Sequence, residues 1–153
     1  MNTSNLAILG CGNIGSAIAK GLAKSGMSTS NIILTRRKKE QLNAFQQAGY
    51  QVTGDNGSAV KNAQTIILTV GPGQLMDLLD DINSHLSQDQ LLISIVSGIT
   101  ISEIQLKVNK QIHIVRAMPN TAAGLGESMT CLSSLSEFNK GLKRLGVYLI
   151  MLD

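Results

Sequence analysis

Three glycines, spaced Gly10-x-Gly12-x-x-Gly15, constrain the fold of this chain more than any other feature. They follow a short apolar run at residues 6–9 and open residues 14–24, where apolar side chains recur at helical spacing. Glycines between a strand and a helix permit a sharp turn, a close approach of a phosphate to the backbone, and tight packing of the helix on the strand. Because the helix N-terminus adds a positive dipole, the pattern predicts a dinucleotide site. The alternative is a purely structural glycine turn.

The rest of the chain alternates apolar runs with amphipathic segments. Strands are expected at residues 6–9, 31–35, 50–52, 65–70, 91–96 and 112–117. Helices are expected at residues 14–24, 38–48, 58–61 with Ser58 as the cap, 74–85 after a break at Gly71-Pro72-Gly73, and from residue 102 onward. An apolar run at 129–132, a helix at 137–145 and a strand at 147–152 follow. We therefore predict one α/β domain over residues 1–153, with a doubly wound, mainly parallel sheet of the Rossmann type.

Composition and charge narrow the functional classes. The chain has no Trp and only two Phe and two Tyr, so a base-stacking surface for nucleic acid is not expected. Much of its net charge of +3 lies in one run, residues 36–39, which favours a local anion site. Cys11 and Cys131 lie far apart, and no metal site or disulfide is predicted. Without a basic leader or a long apolar stretch, we expect a cytoplasmic protein that binds no membrane.

The end of the second expected strand distinguishes between NAD and NADP. An NAD site places Asp or Glu there, to accept hydrogen bonds from the ribose hydroxyls. This chain has Thr35, Arg36 and Arg37 instead, a hydroxyl and two cations suited to a 2′-phosphate. We therefore expect NADP as the cofactor, with NADPH preferred over NADH. The alternative is a solvated cationic face at the start of a helix, where the helix dipole is unfavourable for cations.

Two further turns are expected at the same edge of the sheet. Val70-Gly71-Pro72 and Ser97-Gly98 each follow an apolar run. Open α/β sheets bind their ligands beyond the carboxyl ends of the strands, so both turns are candidates for contact with the cofactor. The alternative for each is an ordinary turn from a strand to a helix.

Four segments resemble the pyrroline-5-carboxylate reductase family. They read Gly10-Cys11-Gly12-Asn13-Ile14-Gly15, Val70-Gly71-Pro72, Ser94-Ile95-Val96-Ser97-Gly98-Ile99-Thr100 and Arg116-Ala117-Met118-Pro119-Asn120-Thr121. The similarity spans essentially the whole chain, and the Met-Pro-Asn-Thr loop is its most specific part. The resemblance implies an enzyme that reduces the small molecule 1-pyrroline-5-carboxylate to proline, by hydride transfer to the imine carbon from NADPH or NADH. The implied role is proline biosynthesis.

The resemblance also implies which residues contact the cofactor. Asn13 and Ile14 would lie under the pyrophosphate, Thr35 and Arg36 at the adenine ribose phosphate, and Asn56 at the adenosine. Val70, Gly71 and Pro72 would line the cofactor, while Ser97, Gly98, Met118, Pro119 and Asn120 would border the nicotinamide. It assigns no catalytic residue.

The chain departs from the family pattern in two ways. Gly71 stands where the family has Lys, which removes a charge beside the cofactor. Family members also continue into a helical C-terminal domain, which dimerises and holds the substrate, and we expect that domain to be absent from residues 1–153. A homo-oligomer is expected where that domain is present. Two alternatives stay open: a reductase of another small imine, a hydroxy acid or a deazaflavin, and a fragment that binds NADP without turnover.

Overall fold

The computed structural model describes residues 5–119 and 130–134, with side chains described for residues 5–118. Its strands are β1 Leu6–Leu9, β2 Ile32–Thr35, β3 Gln51–Thr53, β4 Thr65–Leu68, β5 Leu91–Ser94, β6 His113–Pro119 and β7 Thr130–Ser134. Its α-helices are α1 Asn13–Lys24, α2 Asn43–Gln47, α3 Asn56–Lys61, α4 Pro72–Asn83 and α5 Ile101–Val108. Short 3-10 turns cover Thr29–Asn31 and Lys39–Leu42.

All seven strands form one sheet in the order β3-β2-β1-β4-β5-β6-β7. The first six run parallel, and β7 pairs with β6 in the antiparallel direction. The order of the parallel strands reverses between β1 and β4, which is the point where doubly wound sheets bind their ligands. The predicted fold class, a doubly wound and mainly parallel sheet, is thus confirmed.

Helices cover both faces of the sheet, and β1 shows why its sequence is apolar at every position. Leu6 and Ile8 pack toward α1, whereas Ala7 and Leu9 pack toward α3, α4 and α5. All four side chains are fully buried. A strand that is covered on both faces loses the polar alternation of a half-exposed strand, so it reads as an unbroken apolar run.

The helix predicted at residues 74–85 begins earlier, at Pro72. The break expected at Gly71-Pro72-Gly73 was therefore wrong for its last two residues, which belong to the helix. Gly71 is the N-cap of α4, and Pro72 is its first residue. Proline is favoured at this position because the first backbone N–H of a helix needs no partner within the helix. The strand before it also ends earlier than expected, at Leu68. The Thr69 amide still donates to the Leu9 carbonyl, and its hydroxyl donates to the carbonyls of Leu9 and Gly10, each at 2.9 Å.

The expected cap of the short third helix was also wrong. Asp55, and not Ser58, is the N-cap of α3, and its Oδ1 accepts a hydrogen bond of 3.0 Å from the Ser58 amide. Both residue types are good N-caps, but a helix is capped from the residue that precedes its first turn. The helix therefore starts at Asn56, which places that side chain at the sheet edge.

The remaining differences lie at the ends of elements. The helix expected at 38–48 is a 3-10 turn, Lys39–Leu42, continued by α2. The strand expected at 112–117 extends to Pro119, where it pairs with β7. The helix at 137–145 and the strand at 147–152 lie outside the described residues. No helix within the described ranges is long and apolar enough to cross a membrane.

Gln90 joins the end of α3 to the start of β5 from inside the protein. The residue is 6% exposed, its Nε2 donates to the carbonyls of Val60 and Ala63 at 2.7 and 2.8 Å, and its Oε1 accepts from the Ser87 amide at 2.8 Å. Gln90→Met removes three hydrogen bonds to the backbone and keeps the side-chain volume, although the Val60 carbonyl still accepts from the Ala63 amide at 3.2 Å. We expect the free energy of unfolding, measured in urea, to fall by about 2–4 kcal/mol.

The exposed Gln64 provides the control, since only its backbone makes hydrogen bonds that tie strands together. Gln64→Met is expected to change the free energy of unfolding by less than about 0.5 kcal/mol. If both variants lost the same free energy of unfolding, the side-chain hydrogen bonds of Gln90 would contribute nothing specific to stability.

Candidate cofactor-binding site

A cleft of about 700 Å³ opens at the carboxyl ends of β1, β2 and β4. This volume lies within the usual range for sites that bind small molecules and cofactors. Its walls are formed by the glycine turn, the segment after β2, the start of α3 and one side of α4. The lining residues are Gly10, Gly12, Thr35, Arg36, Arg37, Lys38, Gln41, Gly54, Asn56, Thr69, Val70, Gly71, Gln74, Asp77, Leu78 and Asp81.

The three glycines of the turn differ in why a side chain would be unfavourable at each position. Gly10 has φ +85°, and a Cβ there would collide with the Val70 side chain. A Cβ on Gly15 would lie 2.8 Å from Thr69 Oγ1, so this glycine lets α1 pack on the sheet. Gly12 differs, because the nearest atom to its Cβ would be 3.9 Å away, and the residue lines the cleft. The protein's own packing therefore does not require Gly12 to be glycine, whereas a group bound against its backbone would.

The backbone N–H groups of the turn divide into two sets. The amides of Gly10 and Cys11 donate to Thr35, at Oγ1 and at the carbonyl, and the Gly12 amide donates to the Gly10 carbonyl. The amides of Asn13, Ile14 and Gly15, in the first turn of α1, make no hydrogen bond to the part of the chain that is described. Together with the helix dipole, these donors are suited to binding an anion. The placement of a pyrophosphate over Asn13 and Ile14 stays a prediction, which these donors support.

Thr35 lies at the centre of the site with its hydroxyl already engaged. The side chain is 1% exposed, and its Oγ1 accepts from the Gly10 amide at 3.3 Å and donates to Asn56 Oδ1 at 2.7 Å. A hydroxyl has one proton to donate, so this one has none left for a phosphate. Thr35 lines the cleft as expected, but the donors available to a 2′-phosphate are its neighbours.

Those neighbours form a cationic wall. Arg36 is half-buried, Arg37 and Lys38 are exposed, and all three line the cleft. Arginine binds phosphate through a planar fork of N–H donors, and lysine binds it as a point charge. No carboxylate occupies the end of β2, where an NAD site would have one.

A further wall is one side of α4, which was not predicted from the sequence. Gln74, Asp77, Leu78 and Asp81 lie at spacings of three and four residues, and all of them line the cleft. Asp81 Oδ2 accepts from Asn56 Nδ2 at 3.2 Å. The signal for this wall was present in the sequence, because residues spaced in this way share one side of a helix. Gln41 and Gly54 also line the cleft and were not predicted.

The predicted residues fall into two groups along the sheet edge. Of the predicted set, the cleft is lined by Gly10, Gly12, Thr35, Arg36, Arg37, Asn56, Val70 and Gly71. The cleft does not include Asn13, Ile14, Gly15, Pro72, Ser97, Gly98 or Met118. Ser97 and Gly98 are exposed after β5, and Met118 is 57% exposed near the end of β6. The side chain of Pro119 and all of Asn120 lie outside what the structure describes.

Cys11 is the one cysteine whose side chain is described, and it lies within the turn. It is fully buried, and burial raises the pKa of its thiol above the usual value despite a contact of 3.5 Å with Ser16 Oγ and the cations Arg36 and Lys20 nearby. A buried neutral thiol is a poor nucleophile. Within residues 5–118, no group of three or more His, Cys, Asp or Glu side chains is arranged to hold a metal ion.

A comparison with protein families gives a match over this site. The sequence profile of the family described as "NADP oxidoreductase coenzyme F420-dependent" matches residues 5–98, which include the glycine turn and the cationic wall. The chain belongs to this family. The match ends at Gly98, so it also takes in the turn after β5.

Relatives and solved structures resemble the chain over most of its length. Pyrroline-5-carboxylate reductase 2 of Dictyostelium discoideum is 43% identical over 140 residues, which are 89% of this chain and 47% of the relative. Pyrroline-5-carboxylate reductase 1 of the same organism is 44% identical over 138 residues, 90% of this chain and 25% of the relative. A pyrroline-5-carboxylate reductase structure from Coxiella burnetii is 31% identical, has a TM-score of 0.91, and covers 99% of this chain and 57% of its own.

A second structure was solved with a nucleotide. The Plasmodium falciparum pyrroline carboxylate reductase with NADP bound is 25% identical, with a TM-score of 0.87, over 99% of this chain and 56% of that one. The resemblance to pyrroline-5-carboxylate reductases is thus confirmed. The chain spans between a quarter and about half of the length of the two Dictyostelium relatives.

Proposed function

We propose that this chain is the NADPH-binding part of an enzyme that reduces 1-pyrroline-5-carboxylate to proline. The observation that carries the proposal is the cationic wall of Arg36, Arg37 and Lys38, which stands beside a glycine turn with three available N–H donors. The relatives named above support the substrate. The cationic wall supports NADPH as the cofactor.

The preference for NADPH over NADH follows from the same wall. An NAD site binds the ribose hydroxyls through a carboxylate at the end of β2, and this chain has Arg36 there. A 2′-phosphate is a dianion that needs donors and positive charge, and both arginines supply them. NADH lacks that phosphate and leaves the two guanidinium groups with water alone.

The residues present fit a dinucleotide. The open space over Gly12 admits a phosphate against the backbone, and the first turn of α1 offers its amides to it. Asn56 and Leu78 also line the cleft, and we place the adenosine beside them. Val70 and Gly71 follow toward β5, and Ser97, Gly98, Met118, Pro119 and Asn120 are proposed to border the nicotinamide.

The bound cofactor supplies a hydride to the carbon of the C=N bond. The described residues contribute positioning, and we assign no proton donor among them. Hydride transfer to an iminium depends on orientation and on exclusion of water more than on a strong acid. The family resemblance implies that a helical domain holds the substrate and dimerises, and we place the substrate carboxylate and the homo-oligomer contact there. We also propose a cytoplasmic location and neither nucleic acid nor membrane as a partner.

A second candidate reaction follows from the family description, which names coenzyme F420. In that case the same NADP site would exchange a hydride with a deazaflavin instead of an imine. The proposed binding of NADP would be unchanged, because both reactions need the glycine turn and the cationic wall.

Calorimetric titration of the 153-residue chain with NADPH and NADH tests the cofactor first. We expect NADPH to bind at least about tenfold more tightly, since one phosphate contact with charged donors is worth roughly 1.5–3 kcal/mol. Loss of NADPH absorbance is then followed with 1-pyrroline-5-carboxylate and, separately, with oxidised coenzyme F420. Turnover of the imine alone supports the proposal, and turnover of F420 alone supports the second candidate. NADPH binding without turnover supports the cofactor site and assigns the missing activity to the helical domain that holds the substrate. If neither nucleotide binds, both are wrong.

A further inference from the structure

Three hydrogen bonds in series connect the glycine turn to α4 through residues that line the cleft. The Gly10 amide donates to Thr35 Oγ1 at 3.3 Å, Thr35 Oγ1 donates to Asn56 Oδ1 at 2.7 Å, and Asn56 Nδ2 donates to Asp81 Oδ2 at 3.2 Å. Every donor in this series points toward Asp81. The series therefore ends on a carboxylate, which is the strongest acceptor available to it.

The carboxylate decides the direction of each bond. An ionised carboxylate only accepts, so Asn56 must turn its NH₂ group toward Asp81 and its carbonyl oxygen toward Thr35. Thr35 must then give its proton to Asn56 and accept from Gly10. If the Asn56 amide were rotated by 180°, its carbonyl oxygen would face the Asp81 carboxylate. Both groups are acceptors, so the bond between them would be lost.

We propose that Asp81 is a positioning residue for dinucleotide binding, acting through Asn56 and Thr35 on Gly10, the first residue of the glycine turn. The proposal rests on the proposed binding of NADPH. Thr35 is 1% exposed and Asn56 is half-buried, so the two residues between the ends have few alternative partners. Bonds of this kind polarise one another, which makes the series sensitive to the group at its end.

A simple charge argument gives the opposite expectation. Asp81 lines the same cleft as Arg36 and Arg37, and its negative charge opposes that of a bound phosphate. Removing the charge would on that ground tighten NADPH binding. The test must therefore separate the charge of Asp81 from its role as a hydrogen-bond acceptor.

Asp81→Asn and Asp81→Ala make that separation. Both variants are neutral, but only asparagine keeps an acceptor oxygen for Asn56 Nδ2. Because the loss of charge is common to both, the difference between their Kd values for NADPH measures the acceptor. We expect Asp81→Ala to bind NADPH about three- to tenfold more weakly than Asp81→Asn, the value of one hydrogen bond. Equal Kd values would overturn the proposal.

Asp80 provides a matched control on the same helix. Its carboxylate faces α5, where it lies 2.8 Å from Lys107 Nζ, and it does not line the cleft. Asp80→Asn and Asp80→Ala are expected to have the same Kd for NADPH within about twofold, because exposed ion pairs contribute little. A difference at position 80 as large as that at position 81 would assign the effect to helix stability and overturn the proposal.

A double-mutant cycle tests transmission through Asn56. Thr35→Val keeps the shape of a buried side chain but removes the link between Asn56 and Gly10, so Asp81 can no longer act on the glycine turn. We expect Asp81→Ala to weaken NADPH binding in the wild-type background, relative to Asp81→Asn, but by less than about twofold in the Thr35→Val background. Additive losses would overturn the proposal. Binding by the wild-type chain is measured in the same series, so a failure of the proposed cofactor is recognised separately.

Discussion

Replacing Arg36 and Arg37 by alanine is expected to weaken NADPH binding about 100-fold and to leave NADH binding within about threefold. The two arginines are the nearest cations to the end of β2, and Thr35 has no proton left for a phosphate. Charge-assisted hydrogen bonds are worth about 1.5–3 kcal/mol each, and a partial discount for the open cleft leaves about 3 kcal/mol for the pair. That value corresponds to about two powers of ten in Kd. Titration of the variant with both nucleotides measures it.

A control must remove the same charge from another place. Lys39 belongs to the same cationic run and Lys61 ends α3, and neither lines the cleft. The double variant Lys39→Ala/Lys61→Ala is expected to keep the NADPH affinity within about threefold, since separated surface charges are screened beyond about 8 Å. A 100-fold loss in this control would assign the effect to net charge. If the arginine variant lost affinity for NADH and NADPH equally, the two arginines would not bind the 2′-phosphate.

The fold could be predicted from the sequence because its strands are covered on both faces. Buried parallel strands such as β1 and β4 are apolar at nearly every position, and each is bounded by glycine or a polar turn. Element ends were less predictable, since they depend on partners that lie far away in sequence. Thr69, one residue beyond β4, bonds through its hydroxyl to the carbonyls of Leu9 and Gly10, and β6 extends to Pro119, where β7 pairs with it.

One wall of the site could be predicted from the sequence, and the other could not. The glycine turn and the arginines follow their strands directly, so position in the chain placed them at the sheet edge. Asp81 reaches the same cleft from α4, and only the tertiary packing of that helix shows which of its carboxylates faces inward. Gly71, where the resemblance to pyrroline-5-carboxylate reductases implies a lysine, is not required by the local packing, because a Cβ there would meet only Gln74 Oε1 at 3.7 Å.

Gly12→Ala is expected to weaken the binding of both nucleotides by about 5- to 150-fold without unfolding the protein. The added methyl group meets no atom of the described structure closer than 3.9 Å, so the free protein has room for it. A phosphate pressed against the backbone would meet that methyl group, and overpacking of this kind costs about 1–3 kcal/mol. NADH and NADPH share the pyrophosphate, so both should lose affinity equally, in contrast to the arginine variant.

Two other glycines separate a blocked site from a damaged fold. Gly73→Ala adds a methyl group to the first turn of α4, where nothing lies within 4 Å, and should leave both affinities unchanged. Gly10→Ala adds one at φ +85° against Val70, and we expect the free energy of unfolding in urea to fall by about 1–3 kcal/mol. If Gly12→Ala lowers the free energy of unfolding as much as Gly10→Ala does, the open space over Gly12 is needed by the fold. If it changes neither affinity nor stability, the pyrophosphate does not lie on this turn.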